Sequence, residues 1–213
     1  MCFSASASFV AGAALCVAGV ATIRMTARRA EIAFAMIPLL FGIQQLVEGM
    51  IWLSFENESP LRNAPLTFIY SLFSHVLWPI FIPFAVGLLE SVPWRKRAVA
   101  ACQIAGTVVG LYLLYNIVQF PVTSRVLGKH IAYDSPHFYL IEVMLLYLTA
   151  TCASSLFSSH RVIQVFGALS LATFLAAYAI HVATFFSVWC FFAAILSFIV
   201  YFYFRQARSG SLI

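Results

Sequence analysis

The sequence predicts an all-α, polytopic membrane protein: one bundle of seven transmembrane helices, N-terminus outside and C-terminus cytoplasmic. Three observations predict it. Of 213 residues, 63% are hydrophobic and 9% charged, where a soluble domain carries about 25% charged residues. Seven apolar runs each approach the ~20 residues that cross a bilayer. The twelve Lys and Arg collect in alternate loops, as topology signals do.

The first run, residues 7–23, is rich in Ala and Gly, which lets helices approach closely and predicts a helix packed inside the bundle. It ends at Arg24, Arg28 and Arg29. The second, 32–53, contains FGIQQLVEGMIW and is followed by a loop with Glu56 and Glu58. The third, 66–89, carries His75, Pro79 and Pro83, and the missing proline N–H groups predict a kink just inward of His75. After the basic loop Arg95, Lys96, Arg97 comes the fourth, 98–120, with Asn116 and Gln119 at its far end. Residues 121–136 read as the longest loop. The fifth run is 137–157, with Glu142 near its start, the sixth 162–181 and the seventh 186–204.

Nine basic residues (Arg24, Arg28, Arg29, Arg95, Lys96, Arg97, Arg161, Arg205, Arg208) fall on one side and three (Arg62, Arg125, Lys129) on the other. The richer side is cytoplasmic by the positive-inside rule. There is no room for a separate soluble domain, so residues 1–213 form a single domain with no sheet. No cleavable signal peptide is evident, because the first apolar run lacks a basic leader. The charges sit at helix ends, which makes lipid headgroups their partners and excludes a nucleic-acid surface. Cys2, Cys16, Cys102, Cys152 and Cys190 form no CxxC, and four of them lie in apolar runs, which argues against a disulfide framework.

Topology converts position into depth at about 1.5 Å per residue. Glu48 then lies in the outer half, as do His75, Glu142, His181, Asn116, His137 and Cys2, while the inner half has almost no ionisable group. A carboxylate in hydrocarbon costs a few kcal/mol and normally faces a protein interior with a partner. Helical faces agree: Gln45, Glu48 and Trp52 share one, Ser71, His75 and Trp78 another. Taken singly, each group has a plainer reading. Glu48 is satisfied by Gln45 or a tyrosine, His75 is a structural histidine, His137 and His181 are solvated, Glu142 meets headgroups, and Cys190 is packing. Convergence at one depth is what predicts a pocket. Its expected members are Glu48, His75, His181, Ser71 and Glu142, with Gln44, Gln45, Asn116, His137, Tyr178 and Cys2 around them.

Two resemblances add to this. MCFSASASFVAG, IPLLFGIQQLVEGMIWL, YSLFSHVLWP, SPHFY and SVWCFFAA resemble an uncharacterised bacterial family of seven-span membrane proteins of unknown function. That resemblance covers nearly the whole chain, implies the bacterial inner membrane, and implies no activity. Ser71-x-x-x-His75 resembles the alkaline ceramidase and adiponectin receptor superfamily, zinc-dependent intramembrane hydrolases. The sequence departs from it in lacking a His-x-x-x-His pair on the seventh helix and an obvious intramembrane Asp on the third or fourth.

Three function classes follow. In a metal-dependent hydrolase, His75, His181 and Glu48 or Glu142 would hold zinc with an open position for water. A spare carboxylate, Glu48 or Glu142, would act as general base, Ser71 would orient a lipid-like substrate, and copper or haem suit the same donors. In a proton- or cation-coupled transporter or channel, the same groups would form a relay, although the inner half reads as lacking a polar path. The third class is a ligand-binding or structural membrane protein. Retinal-type photoreception is excluded, because Lys96 and Lys129 both lie outside the hydrocarbon and no helix offers a Schiff-base amine.

Overall fold

The structure, a computed structural model, describes residues 4–180 and 184–208. Among the described residues seven helices follow one another: α1 Ala5–Met25, α2 Arg29–Glu56, α3 Pro60–Leu89, α4 Pro93–Gln119, α5 Ile141–Leu156, α6 Arg161–Ile180 and α7 Phe185–Gln206. Six of them are long and apolar enough to cross a membrane. α5 has sixteen residues, about 24 Å at the helical rise, against a hydrocarbon core of about 30 Å.

The expectation of no sheet is corrected. Residues 121–136 hold an antiparallel hairpin, β1 Thr123–Leu127 and β2 His130–Asp134, joined by Gly128 and Lys129. Gly128 has φ +63°, the sense that two-residue hairpin turns require at their first position. Ile131, Ala132 and Tyr133 are buried, while β1 is largely exposed. The hairpin therefore caps one end of the bundle. Ser124 donates to Asn63 Oδ1 at 2.9 Å and lies 2.7 Å from Thr67 Oγ1, and Asn63 Nδ2 donates to Ser54 at 2.9 Å. These hydroxyls pin β1 to the α2–α3 end.

The Ala- and Gly-rich α1 packs along α2, and a Cβ on Gly42 would come within 2.8 Å of the Cys16 backbone nitrogen. Its other face is open, with Val10 and Val17 about 70% exposed. The expectation of a fully enclosed α1 is corrected to a helix at the bundle's edge.

The proline kink takes the form of a π-helical turn at Leu72–Leu77. There the Trp78 N–H bonds the Phe73 carbonyl, five residues back, instead of Ser74 four back. The next donor in that register for the Ser74 carbonyl would be residue 79, a proline with no N–H. Tyr147 of α5 donates its hydroxyl to the Ser74 carbonyl at 2.5 Å. A second π turn, Thr149–Ala153, sits in α5. Ser154 N bonds Thr149 O there, and the Ser154 hydroxyl donates to the Ala150 carbonyl left over. α4 lies close against the first bend. A Cβ on Gly106 would overlap the Pro79 carbonyl, and Gln103 Nε2 donates to Ile80 O at 3.2 Å.

The opposite end is tied by polar contacts between the α3–α4 and α5–α6 turns. Glu90 accepts from Val92 N at 2.8 Å and Ser159 N at 2.6 Å. Arg95 donates to the carbonyls of Phe157 at 3.2 Å and Ser158 at 2.6 Å. Burial alone would raise the Glu90 pKa. The Val92 and Ser159 N–H groups, the Ser159 hydroxyl and His160 outweigh it and hold the carboxyl below its usual range.

A carboxyl depressed in the folded state stabilises above its unfolded pKa, about 4.3, and loses that contribution as pH falls through the lower folded value. The wild type should therefore lose thermal stability in detergent more steeply than Glu90→Gln between about pH 5 and 3. Parallel melting curves for the two proteins would contradict this.

Candidate functional site

Glu48, fully buried on α2, is the acceptor at the centre of the site. Ser187 of α7 donates to Oε1 at 2.8 Å, Tyr133 of β2 to the same oxygen at 3.5 Å, and Gln45 Nε2 to Oε2 at 3.4 Å. Donors from three separate elements thus surround one buried carboxyl group, as a buried polar group requires. Tyr133 is held for this by stacking on Tyr70 of α3, centroids 4.4 Å apart and rings 6° from parallel.

His75, on the π turn, is buried as well. Its Nδ1 lies 2.8 Å from Ser74 Oγ and its Nε2 3.0 Å from Ser135 Oγ. A neutral imidazole has one N–H and one lone pair, so one serine accepts while the other donates. The ring stacks on Phe186 at 4.4 Å and meets the edge of Phe138 at 5.6 Å. Tyr133 and Ser135 are alternate residues, the spacing that shares one face of an extended chain. Ser187 and Phe186 are neighbours on α7. The two ionisable groups are therefore bridged twice, by Tyr133 of β2 with Ser135 just past its end, and by the neighbours Phe186 and Ser187 of α7.

Gln44 Oε1 accepts from Trp78 Nε1 at 2.7 Å, and Trp78 stacks on Phe41 at 3.8 Å. Cys190, one turn along α7 from Ser187, lies beside Gln44, Glu48 and Tyr70. Next to this cluster is a cavity of about 30 Å³ bounded by Trp78, Tyr147, Thr151, Ser170, Trp189 and Cys190 among others.

The structure thus brings together Glu48, His75, Gln44 and Gln45. It does not bring in the other expected members among the described residues. Ser71 is buried and touches His75 only through its backbone, while its hydroxyl donates to the Thr67 carbonyl at 2.8 Å. Glu142 is exposed on α5. Asn116 donates to the Tyr112 carbonyl at 2.8 Å. His137 packs against Phe120 at 5.1 Å. Tyr178 stacks on Phe174 and is 39% exposed. His181 and Cys2 lie outside the described residues. Among the described residues no three His, Cys, Asp or Glu side chains gather where a metal ion would sit. Both ring nitrogens of His75 face hydroxyls instead.

Sequence reasoning missed Ser74, Tyr133, Ser135 and Ser187. Serine and tyrosine carry no charge penalty in an apolar run, so they do not stand out as Glu48 does. The available signal was the alternation Ile131, Tyr133, Ser135 after a Gly-Lys turn, which marks a strand with a buried face.

Fold and site together define a helical protein with membrane-length helices and a buried acid–histidine cluster closed by a hairpin. The chain belongs to a family of unknown function, DUF6629, whose profile matches residues 1–212. No curated protein matches it. No solved structure matches it either. Nothing links the chain to the ceramidase and adiponectin receptor superfamily.

Replacing Tyr147 by Phe keeps the ring and strands the Ser74 carbonyl beside His75. Leaving a buried acceptor unpaired costs about 1–3 kcal/mol, so Tyr147→Phe should lower the melting temperature in detergent. The exposed Tyr115 should tolerate the same change. Equal melting of both variants with wild type would show that the carbonyl finds another donor.

Proposed function

We propose that this is a seven-span protein of the bacterial inner membrane, N-terminus outside, whose outer-half cluster is a proton relay of the proton-coupled transport class. The observation that carries the reading is His75 between two hydroxyls. With Ser74 on Nδ1 and Ser135 on Nε2, a shift of tautomer moves a proton from one side of the ring to the other. Glu48, which accepts from Tyr133 two residues before Ser135, is the acid that would load or drain it. An ionisable pair buried at membrane depth is costly and is retained for such pathways.

Seven crossings are supported by α5. It runs from the hairpin end, where Tyr147 meets the π turn, to the end where Ser159 meets Glu90. Its length falls about 6 Å short of the hydrocarbon core. The orientation rests on the nine-to-three division of basic residues.

A second reading keeps the hydrolase class without a metal. Ser135 Oγ, 3.0 Å from His75 Nε2, has the spacing of a nucleophile and its general base, with Ser74 orienting the ring from behind. A lipid-like substrate would then enter beneath the hairpin. The zinc, copper and haem readings each need a ligand beyond Glu48 and His75.

Proteoliposomes carrying a pH-sensitive dye separate these readings. Wild type should dissipate an imposed pH gradient faster than protein-free vesicles, and His75→Ala should abolish the difference. Flux no greater than in empty vesicles would overturn the relay. Labelling of Ser135 by a fluorophosphonate would then favour hydrolysis, and stoichiometric metal lost in His75→Ala would favour a metal centre.

A further inference from the structure

A groove of about 190 Å³ runs between α3 and α4 at the end away from the hairpin. Phe84, Leu88, Val99 and Ala100 line it, and Lys96 stands at its mouth. Phe84 and Leu88 are nearly half exposed. The groove exists because residue 87 is glycine. A Cβ there would meet only Val99, at 3.5 Å, so the absent side chain leaves open space.

The cations of this turn are divided between two tasks. Arg95 turns inward to the Phe157 and Ser158 carbonyls. Lys96 and Arg97 are exposed, and neither forms an ion pair among the described residues. Glu90, at the start of the same turn, is occupied by backbone N–H groups. Lys96 thus leaves one positive charge, outside any ion pair among the described residues, at the groove. From Lys96 to the groove's far end at Gln103 is seven residues, about 10 Å along the helix.

We propose that this groove binds one anionic phospholipid, its phosphate on Lys96 and an acyl chain laid along Phe84, Leu88 and Val99. The occupant follows from the two ends together. A soluble anion would use the cation and leave the apolar wall bare, and a neutral apolar molecule would ignore the cation. A second groove on α3, lined by Leu72, Phe73, Val76, Leu77 and Ile80, has no cation and gives no such selectivity. The proposal rests on the membrane reading above.

The test is native mass spectrometry of delipidated protein in detergent, offered equal amounts of phosphatidylglycerol and phosphatidylcholine. Wild type should retain one phosphatidylglycerol with about a fivefold preference, the ratio one lysine near an anionic surface supplies. Lys96→Gln should remove most of that preference, while Lys129→Gln on the hairpin should keep it. Gly87→Leu, which fills the groove, should lower retention of both lipids. Equal retention of the two lipids by wild type, or one preference shared by Lys96→Gln and Lys129→Gln, would overturn the site. If Gly87→Leu does not fold, the two lysine variants still decide. Membrane fractionation of the wild type tests the underlying reading separately, since a soluble protein would sink that reading first.

Discussion

The structure depends on one constraint: a carboxyl group inside an apolar bundle must be surrounded by donors. Glu48 meets it with hydroxyls from β2 and α7 and an amide from its own helix. No single element supplies enough donors, so satisfying the group orders elements that are far apart in sequence. The hairpin's position follows from it, because Tyr133 must reach inward from a strand that would otherwise be a surface loop. Removing one partner of such a group leaves the full desolvation penalty in place. The cluster therefore stands or falls as a unit.

The same accounting explains the bend in α3. Pro79 withholds a backbone donor, the turn before it widens, and the Ser74 carbonyl turns to Tyr147. Irregular backbone at membrane depth is tolerated where it is buried in protein and re-satisfied by neighbours, and π turns recur at functional sites. Here the irregular turn carries His75 itself. Helix α5 repeats the device at Thr149–Ala153, with Ser154 supplying the missing donor. Two bent helices, each repaired by a hydroxyl, thus frame the histidine and the small cavity next to its cluster.

Much of the helical architecture was legible in the sequence, because runs of twenty apolar residues have few alternatives. Glu48, Gln45 and His75 were legible too, since polar groups in such runs are conspicuous. The hairpin was not. Its strands are five residues each, β1 is largely exposed, and a Gly-Lys turn is a weak signal beside seven apolar runs. Depth along an ideal helix placed Glu142 and Asn116 near the site, but depth says nothing about direction around the axis. Glu142 turns outward and Asn116 is absorbed by its own helix. Ser71 shows the same gap: one turn from His75 in sequence, its hydroxyl bonds backward to Thr67, as serines in apolar helices commonly do.

The central claim is that Glu48 couples the hairpin to α7. A double-mutant cycle with Tyr133→Phe and Ser187→Ala, read by thermal unfolding in nanodiscs, tests it most directly. The two sites are 54 positions apart in sequence and both donate to the carboxylate's Oε1. The account predicts non-additivity of about 0.5–3 kcal/mol, which should vanish when Glu48 is replaced by Leu. Strict additivity in the wild-type background would contradict it.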